Sequence, residues 1–206
     1  MQTTKQLSSY RLRMLTTTAM LGAMAGLLML IELPLGFIAP PFYKINLSEV
    51  PVMIGTFAFG PIQGVVIELI KILVHLVIKG TSTNFVGEFA NFVSGAAMVI
   101  PAGIIYRRNR TKKNAIIGLA VSTVFMAVVG VFLNAYIMIP TYSYFFHLPI
   151  EQIVAMGTAI IPWVNNVLTL CLFCVLPFNL IKGIIVSVIV ALIYKPLSRL
   201  IHKGVA

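Results

Sequence analysis

Pro177-Phe178-Asn179-Leu180-Ile181-Lys182-Gly183 opens the last long apolar run of the chain. Asn179 and Lys182 lie three residues apart, a spacing that a helix places on one face. The residues that follow are mostly Ile, Val, Ser, Ala and Leu, so both polar groups sit just inside a segment suited to lipid. An ammonium near the middle of a membrane costs roughly 3 kcal/mol or more, and less near an interface. Either another group offsets that cost or Lys182 snorkels to the headgroups. The rest of the chain must supply the answer.

Composition points to a membrane. The 206 residues are 59% hydrophobic and 10% charged, against about 25% charged in an ordinary soluble domain, and the mean hydropathy is +1.00. One all-α integral membrane domain, a single helical bundle, suits this length. The net charge of +10 does not imply nucleic acid: five of the fifteen basic residues fall in Arg107-Arg108-Asn109-Arg110-Thr111-Lys112-Lys113, between two apolar runs. Basic clusters beside spans are topology signals. The first apolar run is about as long as a span and has no small-x-small cleavage site, so it reads as a span and not a signal peptide. Cys171 and Cys174 stand in Leu-Thr-Leu-Cys-Leu-Phe-Cys-Val-Leu without a second pair, and read as apolar core thiols.

The pattern predicts a polar cytoplasmic tail over 1–9 and membrane helices over 10–32, 48–59, 61–78, 85–106, 115–139 and 178–197. In the first, Ala19, Gly22, Ala23 and Gly26 form a stripe that lets another helix approach closely. From spacing alone that helix belongs to the same chain. Region 33–47 carries Pro34, Gly36, Pro40 and Pro41 and reads as a long ordered loop. Ser48 is a candidate N-cap, with Pro51 in the first turn of the helix it opens. Glu68, Lys71 and His75 share one face of the third helix, where a Glu–Lys pair satisfies itself within a bundle. A proton relay is the alternative role for that face. Glu88 and Asn91 repeat the three-residue spacing near the start of the fourth helix.

Residues 150–176, the second part of the irregular region 140–176, are apolar enough for a seventh span but interrupted by Pro162, Trp163, Asn165 and Asn166. Charge parity decides their reading. With six spans the amino tail, the 107–113 loop and the carboxyl tail share one side, which then holds eleven of the fifteen Lys and Arg. A seventh span would carry the basic carboxyl tail to the opposite side. The positive-inside rule favours six, with both termini cytoplasmic and 150–176 dipping into the bundle from outside. Loops 33–47, 79–84 and 140–176 then face outward. Glu32, Glu49, Glu88 and Glu151 lie at that end, with Asn84, Asn91, Asn134, Asn179 and Lys182. Polar groups converging at the outer end of an apolar bundle predict a pocket open to the outside.

No Walker lysine motif, HExxH or nucleophile elbow occurs. Aspartate is absent and histidine occurs only at 75, 147 and 202, so no catalytic residue, metal site or cofactor is expected. Amides and one lysine suit a neutral ligand with carbonyls, ring N–H groups and hydroxyls. Phe42, Tyr43, Trp163 and Phe178 are candidate flat walls. A membrane enzyme or assembly factor using Glu68 and His75 is the competing class.

Four stretches carry a resemblance over nearly the whole chain: Lys44-Ile45-Asn46-Leu47-Ser48-Glu49-Val50-Pro51, Phe59-Gly60-Pro61, Gly87-Glu88-Phe89-Ala90-Asn91-Phe92, and Pro177 to Gly183. In this order, with six spans, the chain resembles the substrate-binding S components of energy-coupling factor (ECF) vitamin transporters, most closely the riboflavin-specific kind. Asn46 departs from the aspartate expected in relatives and receives no role. The resemblance implies a six-transmembrane-helix bundle in the bacterial cell membrane, binding riboflavin from outside. It also implies a transmembrane T component and two cytoplasmic ATPases as partners. Asn179 and Lys182 would hydrogen-bond the polar edge of the isoalloxazine ring, beside Phe178, and Asn134 would be a further ligand contact. Leu47, Glu88 and Asn91 extend the set. Ala19 and Ala23, with Gly22 and Gly26, would meet the T component. An S component for a different vitamin is the nearest alternative.

Overall fold

The computed structural model describes the backbone of residues 2–202 and the side chains of residues 10–194. Lys5, Lys195, Arg199 and Lys203, which enter the charge-parity reading, lie outside the described side chains. The helices are α1 Gln2–Met29, α2 Glu49–Phe59, α3 Pro61–Lys79, α4 Val86–Arg108, α5 Lys112–Leu133, α6 Ile139–Phe146, α7 Ile150–Thr158, α8 Val167–Leu170 and α9 Leu176–His202. A two-residue antiparallel ladder, β1 Leu33–Pro34 with β2 Lys44–Ile45, closes the loop after α1, with Leu33 opposite Ile45.

Among the described residues, five continuous helical segments are long and apolar enough to cross a membrane: Tyr10–Met29, Pro61–Lys79, Val86–Arg108, Lys112–Phe146 and Val167–Tyr194. The sixth expected span is different. α2 has only 11 residues, about half the length of a full crossing. It packs against α1, α3, α4 and α9, and eight of its residues are buried, including Met53, Phe57 and Glu49. A helix apolar on every side belongs in the middle of a bundle. Gly60 supplies the turn out of it at φ +103°, and Pro61 opens α3 immediately afterwards.

Three expected boundaries move. Residues 2–9 continue α1 and are not a separate tail. The fifth helix does not stop at Ile139: Asn134–Met138 form a π-turn and the helix resumes as α6. The last expected span begins not at Phe178 but at Val167, running through α8 and a second π-turn, Cys171–Val175, into α9. Each π-turn stands just before a proline, Pro140 or Pro177. The wider turn accommodates a residue that lacks an N–H and would clash in a regular α-helix. Hence region 140–176 is mostly helix. Its irregular part is 147–149 and 159–166, on either side of α7, and α7 at nine residues does not span.

The stripe on α1 divides. Gly22 and Gly26 are spent within the molecule, where an added Cβ would stand 2.5 Å from Ile70 and Val74 of α3 respectively. Ala19 and Ala23, beside them on the same stripe, are exposed. A partner helix meeting all four residues is therefore ruled out by packing. Cys171 and Cys174 are buried free thiols, packed with Val164, Leu170 and Phe178.

Candidate ligand-binding site

The ends of α1, α3, α4 and α9, the first π-turn and the 33–47 loop enclose a cavity of about 240 Å3. Its lining includes Asn134, Phe178, Asn179, Lys182, Glu88 and Asn91, six of the seven residues assigned to the ligand from the sequence. Leu47 is absent from the lining and 41% exposed. The residue beside it, Asn46, lines the cavity instead and is buried. Trp163 is 75% exposed between α7 and α8 and forms no wall of the cavity. Phe42, Tyr43 and Tyr142 supply that surface: Phe42 lies 4.6 Å from Tyr43 between ring centroids, and Tyr43 lies 5.4 Å from Phe178. Glu151 is on α7, away from the cavity.

The polar groups differ in how much hydrogen-bonding capacity the protein already uses. Asn46 Oδ1 accepts from the Ser48 hydroxyl at 2.6 Å and the Ser48 N–H at 3.2 Å, shaping the entry to α2. Asn134 Oδ1 accepts from the Tyr43 hydroxyl at 2.7 Å, and its amide donates to the Gly130 carbonyl at 2.8 Å. Burial pushes the Tyr43 hydroxyl well above the usual phenol range, so it remains a protonated donor. Glu88 accepts from the Thr83 hydroxyl at 2.8 Å and the Thr81 hydroxyl at 3.2 Å. Those threonines also brace the 80–87 turn, where Asn84 and Phe85 both adopt positive φ. Among the described residues, the side chains of Asn91, Asn179 and Lys182 make no hydrogen bond to the protein. These three are free for a ligand. Asn179 comes so close to α5 that any side chain at Gly130 would overlap its amide.

Lys182 does not snorkel. Its side chain is 7% exposed, and its Nζ lies 3.5 Å from Glu49 Oε1. The same oxygen takes a hydrogen bond from Lys71 Nζ at 2.9 Å, and Lys71 also pairs with Glu68. Glu49, Glu68 and Lys71 are fully buried, so two acidic and two basic side chains, formally balanced in charge, form one cluster inside the bundle. Glu49 is the first residue of α2, where the helix dipole favours its negative charge. The α3 pair was legible from its spacing; its link through Glu49 to α9 was not, since it joins residues 133 positions apart. Gly95 makes room for the Glu68 carboxylate, which would overlap a Cβ there.

At the cavity mouth Glu32 Oε2 bridges Lys79 at 2.7 Å and Lys44 at 3.1 Å, tying β2 to the end of α3. Partial burial raises the Glu32 carboxyl, but the hydrogen bonds and charges of Lys79 and Lys44 outweigh it and hold the group below its ordinary value.

A cavity at one end of a membrane-embedded bundle, with aromatic walls and uncommitted amide and ammonium donors, defines a ligand-capturing membrane protein. The chain matches the family described as "ECF transporter, substrate-specific component" over residues 13–194, and it belongs to that family. It is 32% identical to the riboflavin transporter RibU of Staphylococcus aureus, over 97% of each chain. It is 29% identical to the riboflavin transporter FmnP of Bacillus subtilis, over 94% of this chain and 96% of that one. The solved S component of a bacterial ECF transporter superposes with a TM-score of 0.72 at 32% identity, covering 92% of this chain and 98% of that chain. The protein is a transporter subunit, not an enzyme, and the alternative built on Glu68 and His75 falls.

Proposed function

We propose that this chain captures riboflavin at the outer face of the bacterial membrane and delivers it to an ATP-driven ECF module. That module comprises a transmembrane T component and two cytoplasmic ATPases. The observation that carries the ligand assignment is the pairing of uncommitted Asn179, Lys182 and Asn91 with aromatic side chains in one cavity, in a chain whose relatives are named riboflavin transporters. The flavin ring has carbonyls and ring nitrogens along one edge, which amide and ammonium groups pair with, and an apolar dimethylbenzene end. The cavity, at about 240 Å3, lies just below the roughly 300–1,000 Å3 typical of small-molecule sites, so it has room for one ligand at most.

Counting α2 with the five long segments gives the six-helix S-component bundle, with both termini cytoplasmic and the cavity facing outward. The exposed Ala19–Ala23 face of α1 is the surface offered to the T component. Buried polar groups discriminate strongly, because a wrong ligand leaves them unpaired. A competition panel tests the assignment: flavins are expected to displace bound riboflavin, whereas thiamine, biotin and folate at about 100-fold excess are not. Displacement by one of these three and not by flavins would assign the fold to another vitamin.

A further inference from the structure

Of the four charged residues in the buried cluster, Lys182 lines the cavity and the other three lie behind its wall. Glu49 Oε1 is 2.9 Å from Lys71 but 3.5 Å from Lys182. Strong charge-assisted hydrogen bonds are about 2.7–2.9 Å long. Glu49 is therefore committed to Lys71, while it balances the charge of Lys182 without consuming its N–H groups. Glu68 supplies the second negative charge that Lys71 and Lys182 together require.

We propose that Glu49, Glu68 and Lys71 are positioning residues for ligand binding: they hold Lys182 as a charge-compensated cation whose donors face the cavity. The site then offers strong donors to a neutral acceptor without a net positive charge. This inference rests on the flavin reading, since an uncharged ring edge is the acceptor it requires. Removing one carboxylate leaves a surplus positive charge among side chains that are fully buried. Shedding that charge takes a proton from a lysine, and a neutral amine is a poorer donor to a carbonyl.

The test is riboflavin affinity, by fluorescence quenching on the purified full chain, for wild type, Glu49→Gln, Glu68→Gln and the double variant Glu49→Gln with Lys71→Met. Thermal unfolding without ligand is measured in parallel. Each single variant is expected to weaken binding by about 10- to 100-fold, the range for losing a charged hydrogen bond. The double variant restores neutrality and is expected to return to within about fivefold of wild type. A purely structural cluster would alter the unfolding midpoint while leaving the affinity of folded protein unchanged. Single variants that bind as wild type does, or a double variant no better than Glu49→Gln, would overturn the inference. Should Glu49→Gln fail to fold, Glu68→Gln alone and with Lys71→Met makes the same comparison. Wild-type protein without riboflavin affinity would overturn the flavin reading and this inference together; wild-type binding with unaffected variants overturns this inference only.

Discussion

Replacing Asn179 and Lys182 together by alanine is expected to reduce riboflavin affinity by a factor on the order of 1,000 or more, with the bundle still folded. A hydrogen bond to a charged group is worth about 1.5–3 kcal/mol and a neutral one about 0.5–1.5 kcal/mol. The ligand atoms left unpaired in the cavity add their desolvation cost. Folding should survive, because neither side chain makes a hydrogen bond to the protein and Glu49, which loses the Lys182 ammonium at 3.5 Å, keeps its nearer partner Lys71 at 2.9 Å. Trp163→Ala is the matched control: the ring is 75% exposed and outside the cavity, so affinity should not change. A double variant that binds like wild type would remove the site from this end of the bundle.

The second large effect concerns stability. Lys71→Met is expected to lower the unfolding midpoint of the ligand-free protein in detergent by on the order of 10 °C. Lys71 is fully buried between Glu49 and Glu68, and it joins the start of α2 to the middle of α3. Breaking a buried pair by removing one partner costs about 3–5 kcal/mol, since the opposing charge stays behind. Here two carboxylates would remain with Lys182 alone. Met matches the length of the lysine stem, so lost packing contributes little. A midpoint within about 2 °C of wild type would show that the cluster does not hold α2 in place.

The sequence disclosed the membrane class and six of the residues that line the cavity, but counted the short α2 as a sixth span; what it disclosed rests on local patterns. Asn179 with Lys182 and Glu88 with Asn91 are each readable as one face of a helix. Two of the three misplaced boundaries share one physical origin: Pro140 and Pro177 look like helix breakers, yet each follows a π-turn that absorbs it. The first π-turn lines the cavity through Asn134 and Met138, and the second ends three residues before Phe178, which also lines it. Such turns recur at functional sites because they redirect side chains without ending the helix. The partner of Lys182 was hidden for a different reason. Glu49 stands at the start of a short helix, where a carboxylate usually caps or faces water, and only the burial of α2 among its neighbours brings it inward. The split of the α1 stripe was equally invisible, because spacing says which residues are small and not which neighbour they meet.

Titrating purified wild-type protein with free riboflavin tests the central claim most directly. Flavin fluorescence should be quenched as one ligand per chain enters an aromatic-walled cavity, with a Kd well below about 1 µM. Protein that leaves riboflavin fluorescence unchanged up to about 100 µM, while still folded by circular dichroism, would contradict the assignment.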